Sequence, residues 1–131
     1  MTSSTTLSVD CGGGGIKASV LDVEGAIISR AVRTATPYPL PPTTLVETIA
    51  SLAGRLPTAD RVTVGMPGMI RHGVVIATPH YITRDGPRSR VLPELVEAWS
   101  RFNMARAVGE RLDLPALVLN DAEVAGAGVV T

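Results

Sequence analysis

The chain has 131 residues with 12 basic and 12 acidic side chains, so its formal charge is zero. That length suits one α/β domain with its own core. The balanced charge excludes a broad basic field for a nucleic-acid backbone or an anionic membrane, which leaves small molecules as partners. Cys11, the single cysteine, excludes an internal disulfide. No apolar run approaches the roughly 20 residues of a membrane span. The opening Met-Thr-Ser-Ser-Thr-Thr lacks the charged and apolar regions of a secretion signal, so the reading is cytoplasmic.

In chain order, Leu7, Val9 and Cys11 alternate with Ser8 and Asp10, the period of a strand with one buried face. After Gly12 to Gly15, the apolar run Ile16 to Val23 predicts a second strand. Ala26 to Arg33 predicts a third, which completes a three-strand antiparallel meander. Pro37 to Pro42 is an extended connector short of N–H donors. Leu45, Ile49, Leu52 and Leu56 recur at helical spacing behind a capping box of Thr44 and Glu47. Arg61 to Met66 reads as a strand ending in Pro67-Gly68.

His72-Gly73 lies between apolar runs and predicts a tight turn into a short strand at Val74 to Ile76. A long polar loop runs to about Arg90. Pro93 suits a helix start, and Leu95, Val96, Trp99, Phe102, Val108 and Leu112 predict one or two helices with an apolar side. Ala116 to Leu119 is a short buried strand, after which Asn120-Asp121-Ala122-Glu123 opens a final helix. The expected order is βββαββααβα. The chain stops at Thr131 with no helix-ending residue, as a truncated chain would.

Several groups can carry chemistry. Four successive glycines, Gly12, Gly13, Gly14 and Gly15, let backbone N–H groups line one concavity with no Cβ in the way of a phosphate oxygen. Asp10 before them suits a hydrated Mg²⁺, and Lys17 after them offers a point charge. A flexible hairpin turn is the alternative. The spacing matches neither the P-loop nor the dinucleotide fingerprint. Asn120-Asp121 directly follows a buried strand, where open α/β sheets place ligand groups and where a carboxylate can act as a base. Its alternative is structural, with Asn120 as helix cap and Glu123 closing a capping box. Val64-Gly65-Met66-Pro67-Gly68 brings a glycine turn to the same rim. Cys11 reads as a core residue, and His80 with Asp85 falls short of a metal site. Arg71, Arg84, Arg88 and Arg90 are either a basic rim for an extended polyanion or a solvated loop.

Taken together these motifs resemble the ROK family of sugar kinases, within the actin-like ATPase superfamily. Asp10 to Lys17 is similar to that family's first phosphate motif, Gly65-Met66-Pro67-Gly68 to its Gly-x-Pro-Gly turn, and Asn120-Asp121-Ala122 to its Asn-Asp-Ala motif. Arg71 to Val75 and the proline-rich connector look most like polyphosphate glucokinases. The resemblance implies an α/β, ribonuclease H-like N-terminal lobe of a two-lobed hexose kinase over residues 1–131, inactive without its C-terminal lobe. It further implies Asp121 as general base, Asn120, Gly68 and Thr78 at the sugar, and Asp10, Gly12 to Gly15 and Lys17 at the phosphates. Mg²⁺ as cofactor, ATP or polyphosphate as donor and a homodimeric full-length protein complete that expectation. Two positions depart from the family pattern. Gly14 stands where it has Thr or Ser, and Pro79-His80 where many members have Pro-Asn. A ROK-type regulator and an actin-like filament protein are the alternatives. The first lacks room ahead of strand one for a DNA-binding domain, and the second has no need of Asn120-Asp121 for a sugar.

Overall fold

A computed structural model of the protein describes residues 4–121. The last helix expected from Asn120 onward, with its Ala122 and Glu123 positions and the ending at Gly128 to Thr131, lies outside the described residues apart from Asp121 itself. The chain runs β1 (Thr6–Cys11), β2 (Gly15–Leu21), β3 (Val32–Ala35), α1 (Pro42–Ala53), β4 (Arg61–Met66), β5 (Met69–Arg71), β6 (Val74–Ala77), α2 (Pro93–Trp99), α3 (Met104–Leu112) and β7 (Ala116–Asn120). Five strands form one mixed sheet in the order β3-β2-β1-β4-β7, and β5 with β6 makes a separate hairpin.

The alternation read in β1 is borne out: Leu7, Val9 and Cys11 are buried, and their neighbours across the sheet are Val20, Ala18 and Ile16 of β2. Val62 and Val64 of β4 pair with Leu7 and Val9, and Val118 of β7 pairs with Val64, so these positions make one sheet face apolar from β2 through β1 and β4 to β7. Leu45, Ile49 and Leu52 of α1 and Met104 and Val108 of α3 belong to the same buried cluster. Each such side chain contributes roughly 1.5–3 kcal/mol of burial against the entropy of ordering the chain. The opposite side-chain row carries Ser8, Asp10, Lys17 and Thr63. The same alternation that builds the core thus delivers polar groups to the other face. Among the described residues no helix is long and apolar enough to cross a membrane.

Three local expectations are corrected. The third strand is Val32–Ala35 and not Ala26–Arg33. Asp22 closes an Asx turn by accepting from the Glu24 and Ala26 amides, and Leu21 meets Ile27 only in an isolated bridge, so regular pairing resumes late. The Thr44–Glu47 capping box does not form. Helix α1 begins at Pro42, with Pro41 at the cap and no side-chain cap bond, because a proline at the first helical position needs no N–H partner. Glu47 instead pairs with Arg111 of α3 at 2.8 Å. Finally, Met69–Arg71 is a strand in its own right. His72 (φ 51°) and Gly73 (φ 78°) both sit in the left-handed region, as a two-residue hairpin turn of type I′ requires, and this adds one strand to the expected order.

Aromatic residues are few, yet Tyr38, Tyr81, Trp99 and Phe102 line up in a single row. Ring centroids are 6.3, 5.7 and 5.9 Å apart along it. Trp99 donates its indole N–H to the Leu40 carbonyl at 2.8 Å, which anchors α2 to the proline-rich connector. The row ties three loops to the core just below the glycine turn.

Candidate active site

Strands β1, β4 and β7 are parallel, and their registers put Asp10 beside Gly65 and Met66 beside Asn120. Their carboxyl ends therefore coincide. The glycine turn after β1, the Pro67-Gly68 turn after β4 and Asn120-Asp121 after β7 all emerge on one rim, the edge at which open α/β sheets bind ligands. The sequence motifs, separated by more than fifty positions, become neighbours through this parallel pairing alone.

In the glycine turn, Gly12 donates its N–H to the Gly15 carbonyl at 2.8 Å. That amide is consumed by the turn. The carbonyls are held from one side: Gly12 O accepts from Thr36 Oγ1 (3.0 Å) and Tyr81 Oη (2.8 Å), Gly13 O from Tyr38 Oη (2.6 Å) and Gly14 O from the Thr36 amide (3.3 Å). Both phenols are held above their ordinary pKa by burial, which keeps them protonated as donors. A Cβ built at Gly13 would lie 3.1 Å from Pro87 Cγ, whereas one at Gly14 would meet nothing within 4 Å. The space beside Gly14 is open, and its backbone is outside the left-handed region.

Asp10 and Lys17 sit opposite each other on β1 and β2, both exposed, with no ion pair between them. Among the described residues there is no cluster of three or more acidic, His or Cys side chains around a metal position. A lone exposed carboxylate is nevertheless the donor set that suits Mg²⁺, which keeps most of its waters and takes its remaining oxygens from substrate phosphates. Cys11 is near enough to Asp10 and Asp121 for both charges to act on it. Its thiol is pushed well above the ordinary range, chiefly by burial and further by the charges of Asp10 and Asp121, so it stays a neutral core residue.

Gly68 has φ of 112°, and a Cβ there would lie 2.1 Å from the Ala77 carbonyl oxygen and 2.8 Å from Thr78 Cα. Only glycine fits. Its own carbonyl accepts from Asn120 Nδ2 at 2.5 Å. Gly68 and Asn120 share an open groove of ≈ 540 Å³ with Met69, Ile70, Ala77 and Pro79, a volume in the range of small-ligand pockets. Thr78 is not on that groove. It is buried behind Gly68 and lines a smaller cavity of ≈ 200 Å³ with Val75, Ile82 and Trp99, its hydroxyl without a partner among the described residues. Asp121 follows Asn120 as a half-buried helical residue on the same rim.

The loop carrying Arg84, Arg88 and Arg90 is more ordered than its polarity suggests. Thr83 bridges to Val91, the Arg84 amide reaches the Arg90 carbonyl, and Ser89 Oγ donates to Gly86 and accepts from the Asp85 amide. All three arginines are exposed. Sequence reasoning missed Thr36, Tyr38, Tyr81 and Pro87, since nothing local to those residues signals that they meet the glycine turn.

Comparison with known proteins agrees with the geometry. The model of the ROK family matches residues 6–129. N-acetylmannosamine kinase of Escherichia coli O157:H7 is 28% identical over 122 residues, which are 92% of this chain and 37% of the relative. Among solved structures, an inorganic polyphosphate/ATP-glucomannokinase from Arthrobacter sp. strain KM is similar at a TM-score of 0.74 and 27% identity. The match covers 95% of this chain and 47% of that one. A ROK family glucokinase from Streptomyces griseus, in complex with glucose and AMPPNP, is similar at 0.71 and 27%, covering 93% and 35%. The fold is that of the actin-like ATPases, and the chain spans little more than a third of the length of the curated relatives it matches.

Proposed function

The chain belongs to the ROK family, and from that premise we propose that the protein is a sugar kinase of which these residues form the N-terminal lobe. The observation that supports this reading best is the shared rim of β1, β4 and β7, with a glycine turn, a groove and a carboxylate side by side. In the proposed reaction a hexose occupies the groove beside Gly68 and Asn120, with Thr78 supporting it from behind. Asp121 takes the proton of a sugar hydroxyl, whose oxygen attacks the terminal phosphorus of ATP or polyphosphate, and the shortened phosphate chain leaves with the bonding electrons. The turn of Gly12 to Gly15 and Lys17 bind the donor phosphates. Asp10 would hold Mg²⁺, which when bound would neutralise charge developing on the donor phosphates. Phosphoryl transfer is mainly positioning and charge stabilisation, so these few groups meet its needs from this side of the cleft.

The test is phosphoryl transfer by the intact protein across a panel of hexoses and N-acetylhexosamines with ATP and polyphosphate. Sugar-dependent consumption of at least one donor is expected. No transfer under any pairing by a folded protein overturns the reading.

A further inference from the structure

We propose that Tyr38 and Tyr81 are positioning residues for the phosphoryl donor, acting through the peptide planes of the glycine turn. The inference rests on the kinase reading above and deepens it by naming what aims the phosphate-binding amides.

The argument begins with a planar trans peptide, in which the carbonyl of one residue and the N–H of the next point in opposite directions. Tyr81 Oη and Thr36 Oγ1 both donate to the Gly12 carbonyl, so the Gly13 N–H is turned to the other side. Tyr38 Oη donates to the Gly13 carbonyl, and this turns the Gly14 N–H likewise. Among the described residues no hydrogen bond engages either amide, and a Cβ built at Gly14 would meet nothing within 4 Å. Two adjacent N–H groups left open toward one side form an anion-binding nest.

Four glycines in a row cannot hold that orientation unaided, because glycine rotates more freely than any other residue. The restraint has to come from outside the turn. It comes from the hydroxyls of two phenols whose rings lie 6.3 Å apart, which set the direction of the amides, while Trp99 packs on Tyr81 at a tilt and supports the fold behind it. Tyr81 is fully buried, and Gly86 lies so close to the Tyr38 ring that a Cβ there would come within 3.2 Å of it. Preorganised donors of this kind bind phosphate oxygens without reorganising when the ligand arrives.

Tyr38→Phe and Tyr81→Phe in the intact protein test this, read by calorimetric titration with tripolyphosphate and AMPPNP and by steady-state kinetics. Each loss of a hydroxyl is expected to weaken phosphate binding and raise the donor KM by roughly three- to tenfold, with the sugar KM unchanged. Trp99→Phe is the control, because it loosens the same row while leaving the turn's partners in place. It should lower the melting temperature and spare phosphate affinity. Phenylalanine variants that fold and bind both phosphates as tightly as wild type overturn the proposal. So does a parallel loss of sugar and donor affinity, which is the mark of general loosening. If Tyr81→Phe fails to fold, the half-buried Tyr38 decides alone. A wild-type protein that binds tripolyphosphate but phosphorylates no sugar defeats the kinase reading and leaves this inference to the binding data, whereas one that binds neither probe overturns the inference itself.

Discussion

Asn120 Nδ2 donates to the Gly68 carbonyl at 2.5 Å, and so joins the end of β7 to the turn after β4 across 52 positions of sequence. The groove wall is one unit because of it. Gly68→Ala places a methyl group against the Ala77 carbonyl at a backbone angle that L-residues rarely adopt. The expected cost is about 2–4 kcal/mol, read by urea unfolding. Wild-type stability would show that the turn relaxes without disturbing its neighbours.

Asp121→Asn keeps the shape of the side chain and removes its basicity. If Asp121 is the general base, kcat falls about 10²- to 10⁴-fold while the sugar KM moves little. Steady-state kinetics on the intact protein decides this, and near-wild-type turnover would assign the proton to another group.

Gly14 has open space around it, and Gly13 does not. Gly14→Ser is therefore expected to fold as wild type and to lower the donor KM a few-fold by returning a hydroxyl near the phosphates. Gly13→Ala pushes against Pro87 and should raise the donor KM. Equal effects at the two positions would contradict the geometry.

Arg88 follows Pro87, the residue that packs on the glycine turn, and is exposed at a φ of 69°. If its charge helps to hold a long polyanion, Arg88→Ala raises the KM for polyphosphate several-fold more than that for ATP, and the difference shrinks as salt increases. Donor competition assays measure it, and unchanged polyphosphate use removes the arginine from the site.

Alkaline pH should destabilise the fold. Cys11, Tyr38 and Tyr81 all have pKa values raised in the native state, from ordinary values of 9.0 for the thiol and 10.0 for the phenols. Above those values the unfolded chain loses protons that the native chain keeps, so the unfolded state binds fewer and stability falls as pH rises. The contribution is fully present below about pH 9 and drains away above it. Melting curves on a pH series should show the decline beginning near pH 9, and later in Cys11→Ala.

Part of this fold is legible in the sequence. Alternating Leu7, Val9 and Cys11 determined a strand and its buried face. Arg61–Met66 and the span of β7 were readable from short apolar runs, although of the β7 run only Val118 is buried and Leu117 is exposed, and Pro93 was readable from its place at a helix start. These features depend on near neighbours, and near neighbours are what a sequence displays. The late start of β3 was not legible, because an Asx turn at Asp22 competes with strand propensity. Nor was the start of α1, where the tandem prolines displaced the capping box.

By itself the sequence determined the family motifs, the three glycine-bearing turns and the positions of Asn120 and Asp121, since each is written in consecutive residues. Only the tertiary structure decided the registers that set Asp10 beside Gly65 and Met66 beside Asn120, that Thr78 stands behind the groove, and that Tyr38 and Tyr81 grip the glycine carbonyls. The physical reason is that parallel strand pairing and a buried aromatic row join residues up to 69 positions apart, and no local pattern encodes such contacts.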